Sequence, residues 1–233
     1  MEDKKVLMVV AAHPDDPEFG AGGTVAKWVR EGWQAIYVIC TNGDKGTPDP
    51  NMTSEKLATI REREQRNAAS VLGVSEVVFL RYPDGELMDG PEFRGKLVRL
   101  IRKYRPDIVI THDPNRKYMG HHDHRTTGIV CMDAVFPYSR DHLFYPEHKT
   151  EGLMPHKVGE VYLTGSEEPN KFVDINETFM LKMKAISCHV SQVGNHTDDW
   201  ETWVKERREQ AVAMGKERGI PLAEAFHRIE IRR

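Results

Sequence analysis

The sequence predicts an α/β protein built on a doubly wound, mostly parallel sheet, with a C-terminal extension of helix and strand. Three observations carry that expectation. Strand-like runs alternate with helix-like ones four times from the N-terminus, and repeated β-α units generate a parallel sheet with helices on both faces. The strand runs are apolar at consecutive positions, as strands covered on both sides must be. No repeat, low-complexity stretch or long apolar segment interrupts the pattern.

The elements follow in order. KVLMVVAA (5–12) reads as the first strand and GTVAKWVREG (23–32) as a helix stopped at Gly32. QAIYVIC (34–40) is the second strand; Thr53 to Leu72 is a helix with Leu57, Ile60, Ala68, Ala69 and Leu72 on one side. EVVFLRY (76–82) is the third strand, closed by Pro83-Asp84-Gly85, and Phe93 to Tyr104 is a helix whose Leu97, Leu100 and Ile101 form a stripe, ended by Pro106. DIVITHD (107–113) is the fourth strand, and a helix after Asp123 runs to about Val135. Together these form a Rossmann-like core over about 1–138. Residues 139–159, rich in Pro, His and aromatics, read as a variable flap. In the C-terminal part, 160–233, EVYLTG (160–165) and FVDI (172–175) read as strands, and EAFHRIEI (224–231) as a last one. Ile175, Phe179, Met183, Ile186 and Val190 mark the apolar face of one helix, and Asp199 to Lys216 forms another. The whole chain, 1–233, is read as one domain.

Composition removes several classes of function. With 233 residues, a formal net charge of -3 and a pI near 6.4, the chain has no general attraction for nucleic acid or an anionic membrane. Cys40, Cys131 and Cys188 form no CxxC pair, so they read as reduced thiols and not as a disulfide frame or thiolate zinc site. The N-terminal apolar run has strand length and no small-residue cleavage pattern, and nothing approaches a membrane span. A cytoplasmic protein is the expectation. Eleven histidines stand out, because His112, His121, His122 and His124 crowd into one short segment.

Topology brings that segment to a second cluster. In a sheet ordered 3-2-1-4, strands one and four are neighbours and their connections diverge at a switch point, where ligands bind. Strand one ends in His13-Pro14-Asp15-Asp16, and strand four leads into His112 to His124. His13 and Asp16, three apart in a tight turn, can reach one ion, and His124 supplies a third ligand. Two imidazoles and one carboxylate leave a fourth position open, as in a catalytic zinc site. Adjacent acids repel, so Asp15 and Asp16 are expected to diverge, one holding metal and the other handling a water's proton. Asp123 is placed to orient a histidine as a hydrogen-bond acceptor. Against this stand plainer readings: a lone His at a strand end is usually a polar loop residue, and HxxH alone is a weak signal. His112 and His122 are read as structural or surface residues. Gly20, Gly22 and Gly23 miss the GxGxxG spacing, since Val25 takes the third position, so they are expected to let a helix pack near the metal loop.

These residues carry a resemblance. AHPDDPEFGAGGT (12–24) and GHHDHR (120–125), with REREQRNAASVLG (61–73), YPDGEL (82–87) and AEAF (223–226), resemble the LmbE-like family of zinc-dependent deacetylases, which includes the PIG-L enzymes. The resemblance spans most of the chain and is weakest over about 139–160. It implies hydrolysis of the acetamide of an N-acetylglucosamine-type sugar or conjugate, with His13, Asp16 and His124 as zinc ligands, other divalent ions being possible, and Asp15 as general base. His121 matches the histidine that stabilises charge or donates a proton, Arg61 a substrate-binding arginine, and Asp113 a sugar-contacting acid of the mycothiol branch. The chain departs from that branch in placing Tyr118 three residues before His121 instead of two. It departs from the bacillithiol branch in having Trp200 and Trp203 where a C-terminal tyrosine is expected. Tyr118 is therefore the expected oxyanion partner. The implied partner is a small amino-sugar substrate, with a homo-oligomer allowed. An amidase on a thiol conjugate of a related sugar, and a non-catalytic metal-binding protein, are the competing readings.

Overall fold

A seven-stranded sheet in the order β3-β2-β1-β4-β5-β7-β6 organises the chain; the computed structural model describes residues 4–118, 120–194 and 199–231. The strands are β1 (Val6–Ala11), β2 (Gln34–Thr41), β3 (Glu76–Tyr82), β4 (Ile108–His112), β5 (Glu160–Thr164), β6 (Lys171–Asp174) and β7 (Ala223–Glu230). The first five run parallel, and β7 is antiparallel to both β5 and β6. This is the doubly wound, mostly parallel sheet expected, with its edge completed by the C-terminal extension.

Each central strand serves two cores. Leu7, Val9 and Ala11 of β1 pack with one apolar cluster, while Met8 and Val10 pack with the other. The alternation is the pleat of a strand buried on both faces. The helices are α1 (Asp16–Arg30), α2 (Ser54–Leu72), α3 (Pro91–Tyr104), α4 (His122–Asp133), α5 (Phe179–Ile186), α6 (Val190–Val193) and α7 (Trp200–Gly215). The first cluster lies under α1, α2, α5 and α7 and the second under α3 and α4. No helix among the described residues is long and apolar enough to cross a membrane.

Four expectations need correction. Helix α1 starts at Asp16, seven residues before the position read from sequence, directly after the turn that ends β1. Pro17 and the acids Asp16 and Glu18 occupy its first turn, all favoured at a helix N-terminus. The glycines inside it face the C-terminal part, not the metal loop: a Cβ on Gly23 would sit 2.8 Å from Ile175, and one on Gly20 3.1 Å from Thr164. Close packing outweighs the poor helix propensity of glycine. The apolar face read as one helix through Val190 is broken between α5 and α6, and Ile175 precedes it. Segment 139–159 is no flap over the site. Buried Arg102 of α3 donates to the carbonyls of Tyr138, Ser139, Asp141, Phe144 and Tyr145, pinning the segment's start to the α3 side of the sheet.

One contact joins the fold to the site. Gly128 of α4 lies against the end of β4, where an added Cβ would be 2.6 Å from the His112 carbonyl oxygen. Backbone cannot yield as a side-chain tip can. Gly128→Ala is expected to cost about 1–3 kcal/mol through overpacking, lowering Tm by several degrees in calorimetry; an unchanged Tm would contradict this packing.

Candidate metal centre and active site

The carboxyl ends of β1 and β4 lie side by side, because those strands pair in register Leu7↔Ile108 to Val9↔Ile110. Asp16 opens α1 and His124 sits in the first turn of α4, so two helix starts face each other across the crevice. His13 Nδ1 is 3.1 Å from His124 Nε2 and 3.3 Å from Asp16 Oδ2, and Asp16 Oδ1 is 3.2 Å from His124 Nε2. Ligand atoms about 2.0–2.1 Å from a tetrahedral zinc lie roughly 3.3 Å from one another. The three side chains thus have the nitrogen and oxygen donors, and the spacing, of one face of such a site.

A second set, His13, Asp84 and His121, also converges to within 4.8 Å. The nitrogen that His13 offers decides between the two. Its Nε2 faces two carboxylates, Asp84 Oδ1 at 3.1 Å and Asp123 Oδ2 at 3.3 Å, and must carry the proton they accept. That leaves the lone pair on Nδ1, toward Asp16 and His124. Asp123 is fully buried and also accepts from the N–H groups of Gly85 at 2.6 Å and Leu87 at 3.2 Å. Burial would raise its pKa, but the hydrogen bonds from His13 and these amides hold it down to about 2. It therefore orients His13 as an anion.

The same acids set the metal-free state. Burial works against charge on His13, yet hydrogen bonds to Asp123, Asp16 and Asp84 outweigh it and push the pKa up to about 11. Asp16 lies well below the usual carboxylate range, burial being overcome by His112, His124 and His13. An ion entering at neutral pH must displace the His13 proton. About one proton is expected to leave per metal bound, and apparent affinity should rise about tenfold per pH unit from neutrality for as long as His13 stays protonated, its pKa being pushed up to about 11. Calorimetric titration in buffers of different ionisation enthalpy reads this directly; a binding enthalpy independent of buffer would contradict it.

Asp15 is turned out of the donor set. Its φ of 103° is left-handed and rare for a non-glycine residue, and its Oδ2 accepts from Arg61 at 3.1 Å. Burial and the neighbouring Asp16 push its pKa up to about 7, against Arg61, His189 and His13, a value suited to a general base near neutrality. Arg61 is only 3 % exposed, and its guanidinium donates to the carbonyls of Gly43 and Pro14 as well as to Asp15. Both terminal nitrogens are engaged inside the protein while Nε is buried without a partner among the described residues, and Arg61 does not line the cleft. It ties the His13–Asp16 loop to Asp15, and the expectation of a substrate-binding arginine is not supported by its placement.

His121 caps α4: its Nδ1 accepts from the Asp123 N–H at 3.2 Å. Burial, then the charges on His13 and His124, lower its pKa, so the neutral ring carries its proton on Nε2. Tyr118 is not brought to the site. Its φ of 62° turns the chain so that the ring is 102 % exposed, and it is absent from the cleft wall. Asp113 does line the cleft, with Oδ1 accepting from the Asn115 N–H.

Two residues of the site were missed in the sequence. His112 stacks on His124 at 4.1 Å, with Nε2 3.3 Å from Asp16 Oδ2, and burial keeps it neutral against Asp16. Asp84 is the second acceptor for His13. His112 stands at the end of β4, one of the two strand ends expected to meet, whereas Asp84 follows β3, outside that pair. Beside them opens a cleft of about 580 Å³, bounded by Asp16, His112, His121 and His124 at one end and by α5 and α7 at the other. No residue of 139–159 lines it, and neither does Asp15.

Residues 8–135 match the family described as PIG-L: GlcNAc-PI de-N-acetylase. The chain belongs to the PIG-L family. It is 36% identical over 224 residues to the diacetylchitobiose deacetylase of Thermococcus kodakarensis, covering 96% of this chain and 83% of that protein. The mycothiol S-conjugate amidase of Streptomyces coelicolor is 34% identical over 168 residues, 63% of this chain and 57% of that one. Among solved structures, the N,N'-diacetylchitobiose deacetylase of Pyrococcus horikoshii superposes with a TM-score of 0.90 at 35% identity, covering 98% of this chain and 85% of that one. As a PIG-L protein, the chain carries the HPDD and HxDH residues at the two strand ends that face each other.

Proposed function

We propose that this PIG-L protein is a divalent-metal-dependent N-deacetylase that removes the acetyl group from an N-acetylglucosamine-type sugar or conjugate, with zinc as the ion. The observation that carries the proposal is the divergence of two adjacent acids: Asp16 joins His13 and His124 in one donor set, while Asp15 stays outside it beside Arg61. The two diacetylchitobiose deacetylases named above support the same reading. A divalent ion held by these residues would supply a Lewis acid that lowers the pKa of water and polarises an acetyl carbonyl.

The chain's own groups then divide the remaining work. Asp15 takes the proton of the attacking water. His121, with Nε2–H free and the ring edge-on to His13 at 4.6 Å, donates to the oxygen that gains negative charge. A proton from Asp15 or His121 goes to the departing amine, and acetate leaves. Asp113 on the cleft wall accepts from a sugar hydroxyl. A cleft of about 580 Å³ lies within the range of small-molecule sites and leaves room for a group attached to the sugar.

Amide hydrolysis on a thiol conjugate would use the same groups, and the amidase relative favours keeping it as the second reading. The test is acetate release from N-acetylglucosamine, diacetylchitobiose and the malate and inositol conjugates, with and without a chelator. Chelator-sensitive acetate release supports the proposal. Cleavage only of a thiol conjugate favours the second reading, and inertness toward every amide would leave a metal-binding protein.

A further inference from the structure

Three polar side chains that this chemistry does not use are sealed behind Asp15. Gln65 of α2, Glu18 of α1 and His189, just ahead of α6, are each 0 % exposed. Their hydrogen bonds have a forced direction. The Asp15 N–H donates to Gln65 Oε1 at 2.9 Å, which only the carbonyl end of the amide can accept. The Gln65 NH2 is thereby aimed at Glu18, and Nε2 donates to Glu18 Oε1 at 2.9 Å. Glu18 Oε2 lies 3.1 Å from His189 Nε2; with Glu18 ionised, the Nε2–H tautomer of the imidazole donates to it. His189 Nδ1 is buried without a partner among the described residues, and a bare acceptor is tolerated there better than an orphaned N–H. The turn bearing His189 is anchored to α2, since the N–H and Oγ of Ser191 both donate to Glu64.

We propose that Gln65, Glu18 and His189 are positioning residues for Asp15: a buried relay that grips the peptide N–H of a left-handed residue and so aims its carboxylate at the attacking water. The proposal rests on the reading of Asp15 as the general base. A left-handed aspartate persists only where its surroundings over-determine it. At Asp15 the surroundings are Arg61 on the carboxylate and Gln65 on the amide. If the amide grip is released, the peptide can relax toward ordinary φ and swing the carboxylate away. Packing alone gives no reason for these residue types. A buried carboxylate and imidazole cost desolvation that apolar side chains of similar size would avoid, and the cost is explained if hydrogen-bond direction is what the site needs.

The test compares His189→Leu, His189→Gln and Gln65→Met, each alone and with Asp15→Asn. Gln65→Met matters if loss of the histidine impairs folding. In folded, metal-loaded His189→Leu or Gln65→Met, kcat is expected to fall roughly 10- to 100-fold, as for a displaced catalytic group, with KM and metal content unchanged. His189→Gln, whose amide can still donate to Glu18, should recover most of the rate. In the Asp15→Asn background the relay substitutions should have no further effect, because their action passes through the missing base. Wild-type kcat in the folded variants, or an equal fold-loss in the Asp15→Asn background, would overturn the relay while leaving the deacetylase reading intact. Full activity of Asp15→Asn alone would overturn both the relay and the reading of Asp15 as the general base.

Discussion

Asp15→Asn is expected to retain the metal and lose turnover by roughly 10² to 10⁴, the usual contribution of a general base. The substitution is nearly isosteric. The Asn carbonyl can still accept from Arg61, and the backbone N–H still meets Gln65, so the loop keeps its shape. What disappears is the proton-accepting charge, on a group whose pKa, pushed up to about 7 by burial and Asp16, lies near the pH where a base works best. Metal content and kcat/KM measured on one preparation separate the roles. Loss of metal would make Asp15 a ligand, and unchanged kcat/KM would remove it from the chemistry.

The neighbouring substitution should behave in the opposite way. Asp16→Asn keeps an oxygen for the His13 N–H, which donates to Oδ2 at 2.7 Å, but removes the anionic donor shared by His13, His112 and His124. Four ligands of a structural zinc site supply about 10–16 kcal/mol in total, so one donor is worth about 3 kcal/mol, roughly 10²-fold in affinity. At one equivalent of zinc the variant should therefore be largely metal-free and inactive. Competition with a chromophoric chelator measures this; wild-type affinity in Asp16→Asn would show that the ion is held elsewhere. Two adjacent residues of one type are thus expected to yield one metal-loaded inactive protein and one metal-poor one.

Much of this arrangement is legible before any coordinates. Consecutive apolar positions in 6–11 and 108–112 mark doubly buried strands, and the order of β-α units places their ends together. Once they are together, the short spacing of His13 and Asp16 and the partner His124 follow from ligand chemistry. Legibility stops where a residue's role depends on a contact remote in sequence. His112 and Asp84 stand at strand ends but have no ligand spacing to distinguish them. Arg61 reads as a substrate ligand because it matches the family's substrate-binding arginine; the carbonyls of Pro14 and Gly43 that accept from its terminal nitrogens appear only in three dimensions. Glu18 and His189 are 171 positions apart, too far for any local pattern to join them. Helix α1 reads short in the sequence because Gly20, Gly22 and Gly23 weaken its helical signal, and only Thr164, Ile175 and Lys182 show why those positions must be small.

The most direct measurement is anomalous diffraction at the zinc edge from crystals of the zinc-loaded protein. The expected result is one peak about 2.0–2.2 Å from His13 Nδ1, an Asp16 oxygen and His124 Nε2, with Asp15 outside bonding distance. A peak between His13 Nε2, Asp84 and His121, or one bonded to Asp15, would contradict the division of labour between the two acids.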